Sequence, residues 1–285
     1  MQREITLCFL CASTVDNHTQ QSTPLEKFAG LSFTELKSFL DEKYDQFNVS
    51  AFIDDDPVSI PHRYTSKSDI EIAAFLTATI SWGNRKSIIK SASRMMELMG
   101  DAPHDFVMHH TARDLKSLKG FVHRTFNAED LADFIRALKS LYTEQPSMEY
   151  FFAETIAAQG HTAPAISAFK QRFFSVPHAA RSEKHVSDPM SGSSAKRINM
   201  FLRWMVRKDK NAVDLGIWKN ISPAHLSIPL DVHSGNVARQ LGMLTRKQND
   251  ARAVEELDAV LRTLDPVDPV KYDYALFGLG AIEKW

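Results

Sequence analysis

Between Pro24 and the C-terminus the apolar residues recur at three- and four-residue intervals, the repeat of helices that bury one face. No stretch of β-branched residues alternates cleanly with polar ones between turn signals, so the chain has little with which to build a sheet. The expected fold class is all-α. The spacing predicts helices near 24–29, 32–48, 68–82, 84–99, 102–109, 128–143, 147–157, 163–174, 193–208, 232–242, 249–263 and 269–283. Ser68-Asp69-Ile70-Glu71, directly ahead of an apolar run, reads as a capping box. The stretch 175–194, rich in Ser, Pro, His and charge, reads as a connection between helical blocks. The stretch 211–229 carries Trp218, Ile221, Pro223, Ile228 and Pro229, too apolar for a solvated linker, and is expected to pack over the core as an ordered insertion.

A chain of 285 residues can bury a core without disulfides or metal. The expected division is two lobes, 68–174 and 190–285, with 24–67 packing on one of them and 1–23 a disordered or mis-assigned start. Lys and Arg total 34 against 35 Asp and Glu, so any nucleic-acid surface must be local. Cys8 and Cys11 stand without a second cysteine pair, which excludes a four-cysteine iron–sulfur loop and suits a reducing cytoplasm. No cofactor is expected. The longest apolar run, Ile5 to Ala12, falls short of a membrane span, and its flanks argue against a secretory leader. His62, His104, His109, His110, His123 and His233 show no metal-ligand spacing, so no metal site is expected. Near-neutral charge and the absence of heptads suit a monomer.

The stretch 196–208 forms an amphipathic helix. An advance of about 100° per residue groups Lys196, Asn199, Met200, Arg203 and Arg207 on one face, opposite Ile198, Phe201, Leu202 and Met205. A cationic helix face after the turn Ser191-Gly192-Ser193-Ser194 suits a nucleic-acid backbone, and equally suits an ordinary solvated helix. Asp231, in Ile228-Pro229-Leu230-Asp231-Val232-His233, is placed to cap the next helix. Whether it meets Lys196 is a question of folding that spacing cannot answer.

These two segments together resemble the catalytic half of the helix-hairpin-helix DNA glycosylase superfamily, in which a hairpin ends in a nucleophilic Lys and a Val-Asp-Thr-His or Val-Asp-Val-His segment carries the catalytic Asp. Asp231-Val232-His233 is similar to the 8-oxoguanine glycosylase branch. Pro189-Met190-Ser191-Gly192-Ser193-Ser194 stands where the superfamily has Leu-Pro-Gly-Val-Gly, and the interval from Lys196 to Asp231, 35 residues, is as long as in archaeal 8-oxoguanine glycosylases. From about Pro24 onward, with Arg203-Trp204-Met205-Val206-Arg207 and Pro229-Leu230-Asp231-Val232-His233, the chain also looks like a bacterial family of unknown function, which carries no assigned activity.

The glycosylase resemblance implies a helix-hairpin-helix glycosylase-like, two-lobed helical fold and damaged duplex DNA as partner, with RNA as the alternative. It casts Lys196 and Asp231 as the catalytic pair of a base-excision glycosylase and abasic-site lyase that acts on oxidised purines. Asn84, after Ser81-Trp82-Gly83, takes the position that enters the gap left by an extruded base, and its other reading is a helix cap. Arg85, Lys86, Arg203 and Arg207 are the expected phosphate contacts, with Ser193 and His233 as further nucleic-acid contacts. Trp82, Tyr274 and Phe277 are the candidate base pocket, although among Tyr272, Tyr274 and Phe277 two are expected in the core. A lysine amine has a pKa of about 10.4 in water, so its use as a nucleophile requires surroundings that free it. The runner-up reading is a non-enzymatic nucleic-acid-binding protein on the same scaffold.

Overall fold

The computed structural model describes residues 30–285; the calls on residues 1–23, on Cys8 and Cys11 and on a helix over 24–29 lie outside them. The described chain is mainly helical, as its periodicity requires. The principal helices are α1 (Phe33–Phe47), α2 (Ala51–Asp54), α3 (Lys67–Thr79), α4 (Arg85–Leu98), α5 (Pro103–His109), α6 (Ala112–Ser117), α7 (Ala128–Glu144), α8 (Tyr150–Gln159), α9 (Thr162–Phe173), α10 (Lys196–Val206), α11 (Val232–Gln240), α12 (Ala251–Leu264) and α13 (Tyr272–Ala281). Short polar side chains set most of their starts: Ser32, Asn84, Asn127, Asp231 and Asp250 each accept a backbone N–H of the first turn. The short helices α2 and α6 and a two-residue hairpin, Val122–His123 with Phe126–Asn127, are additions to the sequence expectation.

The capping box expected at Ser68 is a correction. Ser66 caps α3, and Glu71 turns inward, where it is fully buried and accepts from Tyr142 Oη (2.6 Å), Ser147 Oγ (2.5 Å), Met148 N (3.0 Å) and Trp218 Nε1 (2.7 Å). Helix α3 is buried on every side from Ile70 to Thr79, so a carboxylate there needs internal donors, and four supply them. The Trp218 donor belongs to the stretch 211–229, which is pinned over the core as expected.

Apolar side chains gather in two clusters. One centres on Phe75, whose ring lies 5.9 Å from Phe134, 5.6 Å from Phe169 and 5.5 Å from Phe201. The other joins Leu36 and Leu40 of α1 to Val237 of α11, Leu257 and Leu261 of α12 and Leu276 and Leu279 of α13. Helix α10 therefore sits with the first cluster, through Ile198, Phe201, Leu202, Trp204 and Met205, and not with a lobe that begins at residue 190. The segment before residue 68 is likewise divided, α1 going to the second cluster while Val58 and Ile60 go to the first.

The polar face of α10 and the residue that follows it reach toward the second cluster. Arg203 is 5% exposed and Arg207 1% exposed. Arg203 Nε donates to Asp214 Oδ1 (3.2 Å), its Nη1 pairs with Asp273, and its guanidinium covers the Tyr274 ring at 4.4 Å. Arg207 donates to Asp268 (2.9 Å), Asp209 (2.5 Å), Asp214 (3.1 Å) and the Tyr44 hydroxyl (2.6 Å). Burial opposes both charges, but the surrounding carboxylates outweigh it and hold both guanidiniums above their ordinary range. The expected wet cationic face is thus corrected to a buried ionic junction, and neither arginine is free to hold a phosphate. No described helix is long and apolar enough to cross a membrane.

Candidate active cleft

Lys196 and Asp231 are brought together by two helix starts that the sequence sets locally. Before α10 the chain makes a 3-10 turn at Pro189–Ser191, passes Gly192 and Ala195 at φ of +92° and +47°, and enters the helix at Lys196. Glycine takes the first of these conformations without steric cost. Gly192 O accepts from Ala251 N (3.1 Å), which ties the turn to α12. On the facing side, Asp231 Oδ1 accepts from His233 N (2.8 Å) and Ser234 N (3.0 Å), so the capping role holds and the carboxylate is fixed in direction. Its backbone carbonyl is held by Asn249 Nδ2 at 2.8 Å. The free oxygen, Asp231 Oδ2, lies 3.5 Å from Lys196 Nζ, with side-chain exposures of 31% for the lysine and 16% for the aspartate. Both groups therefore face an opening and neither is sealed in a core.

That opening is a cleft of about 770 Å³. Of the candidate site residues, Lys196, Asp231, Asn84, Arg85, Ser193, Arg203, His233, Trp82, Tyr274 and Phe277 all line it. Lys86 is exposed outside the lining, and Arg207 lies in the junction. Asn84 Oδ1 caps α4, accepting from Ser87 N at 3.3 Å, while the residue stays exposed at the rim. Arg197 stacks over Trp82 at 4.7 Å and donates to Thr79 O; burial brings its guanidinium down to about 10. Arg85 stacks over Phe277 at 4.7 Å and Phe52 at 5.6 Å. His233 is exposed, its ring edge-on to Phe277 at 6.0 Å. Tyr272 and Tyr274 are buried and Phe277 is not, the division expected among these aromatics. Tyr274 backs the cleft from the core, and burial drives its phenol well above the ordinary range.

Two acids of the cleft went unnoticed in the sequence. Asp273 accepts from Ser234 Oγ (3.1 Å) and pairs with Arg203; burial pushes its carboxyl up to about 6, against Arg203 and with help from Asp231. It stands four residues before Phe277 on α13, so the aromatic already singled out marks its helical face. Asp56 precedes Pro57 and caps the 3-10 turn Pro57–Ser59, a signal readable from that dipeptide. The cleft thus sets one amine against carboxylates between aromatic walls, an arrangement suited to attack on an electrophilic carbon and to stabilising a positive charge that develops beside it. Among the described residues no three His, Cys, Asp or Glu side chains are grouped to hold a metal ion.

No curated protein matches this chain, and neither does any solved structure. A family model does match, over residues 56–282, which takes in every lining residue of the cleft except Phe52. The chain belongs to the family described as "Protein of unknown function (DUF2400)".

Proposed function

We propose that this protein is a DNA base-excision glycosylase with abasic-site lyase activity, using Lys196 as nucleophile and Asp231 as its acid partner. The observation that carries the reading is the 3.5 Å approach of Lys196 Nζ to Asp231 Oδ2 inside an accessible cleft, between segments distant in the chain. The turn-then-helix entry to Lys196 and the aspartate-capped helix facing it are the parts of the helix-hairpin-helix glycosylase pattern, and their convergence supports a fold of that kind.

In this mechanism the target nucleotide leaves the duplex stack at a cost of a few kcal/mol and enters the cleft. Trp82 and Phe277 offer apolar surface to the extruded base, and Asn84 at the rim is placed for the gap left behind. Lys196 yields a proton to Asp231, which passes it to the base nitrogen as the bond to the base breaks; the carboxylate so restored stabilises the cationic sugar while the amine bonds to the anomeric carbon. The bound amine gives one proton to the ring oxygen as the ring opens, leaving a protonated imine; Asp231 then takes a C2′ proton, and departure of the 3′ phosphate nicks the strand. With Arg203 and Arg207 in the junction, backbone contacts fall to Arg85, Lys86, Ser193 and His233.

Borohydride reduction in the presence of duplexes carrying 8-oxoguanine or an abasic site tests the reading. A covalent protein–DNA adduct is expected with the natural chain and none with Lys196→Gln. Absence of adduct from folded natural protein across a panel of lesions defeats the lyase claim, and DNA binding that persists under those conditions selects the non-enzymatic alternative.

A further inference from the structure

Two oppositely charged groups in one wall of the cleft are left short of partners. Asp56, 8% exposed, uses Oδ1 to accept from Val58 N at 3.0 Å. Among the described residues its Oδ2 accepts no hydrogen bond, and its ion-pair partner, Arg85 Nη2 at 3.9 Å, is beyond hydrogen-bond length. Arg85 Nη2 is itself buried with no hydrogen-bond partner among the described residues. Buried polar groups are normally paired, and leaving the Arg85 donor unmatched beside an open carboxylate oxygen costs stability. An orphaned donor beside an open acceptor is a place where a ligand can supply both missing partners.

The pair also says what the ligand must be. A phosphate would gain from Arg85 and be opposed by Asp56; an ammonium would meet the reverse. A neutral edge with an N–H beside a lone pair satisfies both. Phe277 and Phe52, over which the guanidinium lies, and Trp82, which lines the same cleft, favour a flat molecule. Burial pushes the Asp56 carboxyl above its ordinary range, opposed by the Val58 N–H, Arg85, Arg203 and Lys196. A ligand N–H would supply the donor that burial denies it.

We propose that Asp56 and Arg85 together read the hydrogen-bonding edge of a neutral nucleobase in the cleft, Asp56 Oδ2 accepting from an N–H and the Arg85 guanidinium donating to the neighbouring oxygen or ring nitrogen. This assignment rests on the base-excision reading above and moves Arg85 from phosphate contact to base recognition.

The test is calorimetric titration of the full-length protein with hypoxanthine, a free base with such an edge, and separately with inorganic phosphate. Hypoxanthine should bind saturably, without competition from phosphate, and bind about tenfold or more weakly to Asp56→Asn and to Arg85→Gln. Asn retains an oxygen to cap Val58, and circular dichroism verifies that each variant is folded; Arg85→Gln alone suffices if Asp56→Asn is not. Unchanged affinity in a folded variant, no binding by the natural protein, or displacement of hypoxanthine by phosphate overturns the assignment. Borohydride trapping on an abasic site, where there is no base to read, separates the two claims. Trapping without hypoxanthine binding keeps the Lys196 chemistry and removes this proposal, whereas binding without trapping does the opposite.

Discussion

Asp231 performs two tasks with two oxygens. Oδ1 accepts the first-turn amides of α11, and Oδ2 is left for Lys196. Asparagine caps a helix about as well as aspartate, so Asp231→Asn should unfold within about 0.5 kcal/mol of the natural protein in urea. Base release should nevertheless fall on the order of 10²-fold or more, as when an electrostatic contact to the transition state is removed. Parallel loss of stability and activity would make the residue a cap and nothing else. Each position carries a local signal, a turn before Lys196 and an aspartate before a helical run, but only the resemblance to the glycosylases sets the two together in sequence. Arg203 and Arg207 were misread for the complementary reason: helical spacing shows that they share a face with Lys196, but the carboxylates that cover them come from Asp214, Asp268 and Asp273, which only folding brings near.

Helix extents were the most readable feature, since each apolar stripe and its cap lie within one segment. The start of α3 shows where that fails. Ser68 and Glu71 have the capping-box spacing, yet the surroundings of Glu71 are set by Tyr142, Ser147 and Trp218 from three later parts of the chain. The contact between α11 and α13 is equally invisible in sequence and directly positions the cleft. At Gly280 an added Cβ would lie 2.9 Å from His233 O, a backbone atom in the first turn of the helix that Asp231 caps. Gly280→Ala must therefore push α11 away, with an expected loss of about 1–3 kcal/mol, the usual penalty of overpacking. The displacement should also lower adduct yield beyond what the fraction unfolded explains, as measured by trapping at a temperature where the variant remains folded. Natural-level trapping would show that the two helices have room to adjust.

A network of buried charge spans the two apolar clusters. Arg207 alone gathers Asp268, Asp209, Asp214 and Tyr44, reaching α1 from a helix whose apolar face belongs to the other cluster. Removing one partner from such a group leaves the others uncompensated, so Arg207→Gln should destabilise the protein by about 3–5 kcal/mol in urea unfolding. If Arg207 instead held DNA, the same substitution would leave stability unchanged and flatten the salt dependence of binding. Because the amine issues from a helix rooted in one cluster and the acid from a helix rooted in the other, neither half of the molecule holds both members of the pair. On the mechanism proposed above, bending at the seam by even an ångström or two would uncouple proton transfer from bond formation, so whatever clamps the halves, a bent duplex included, would act as the throttle of that chemistry.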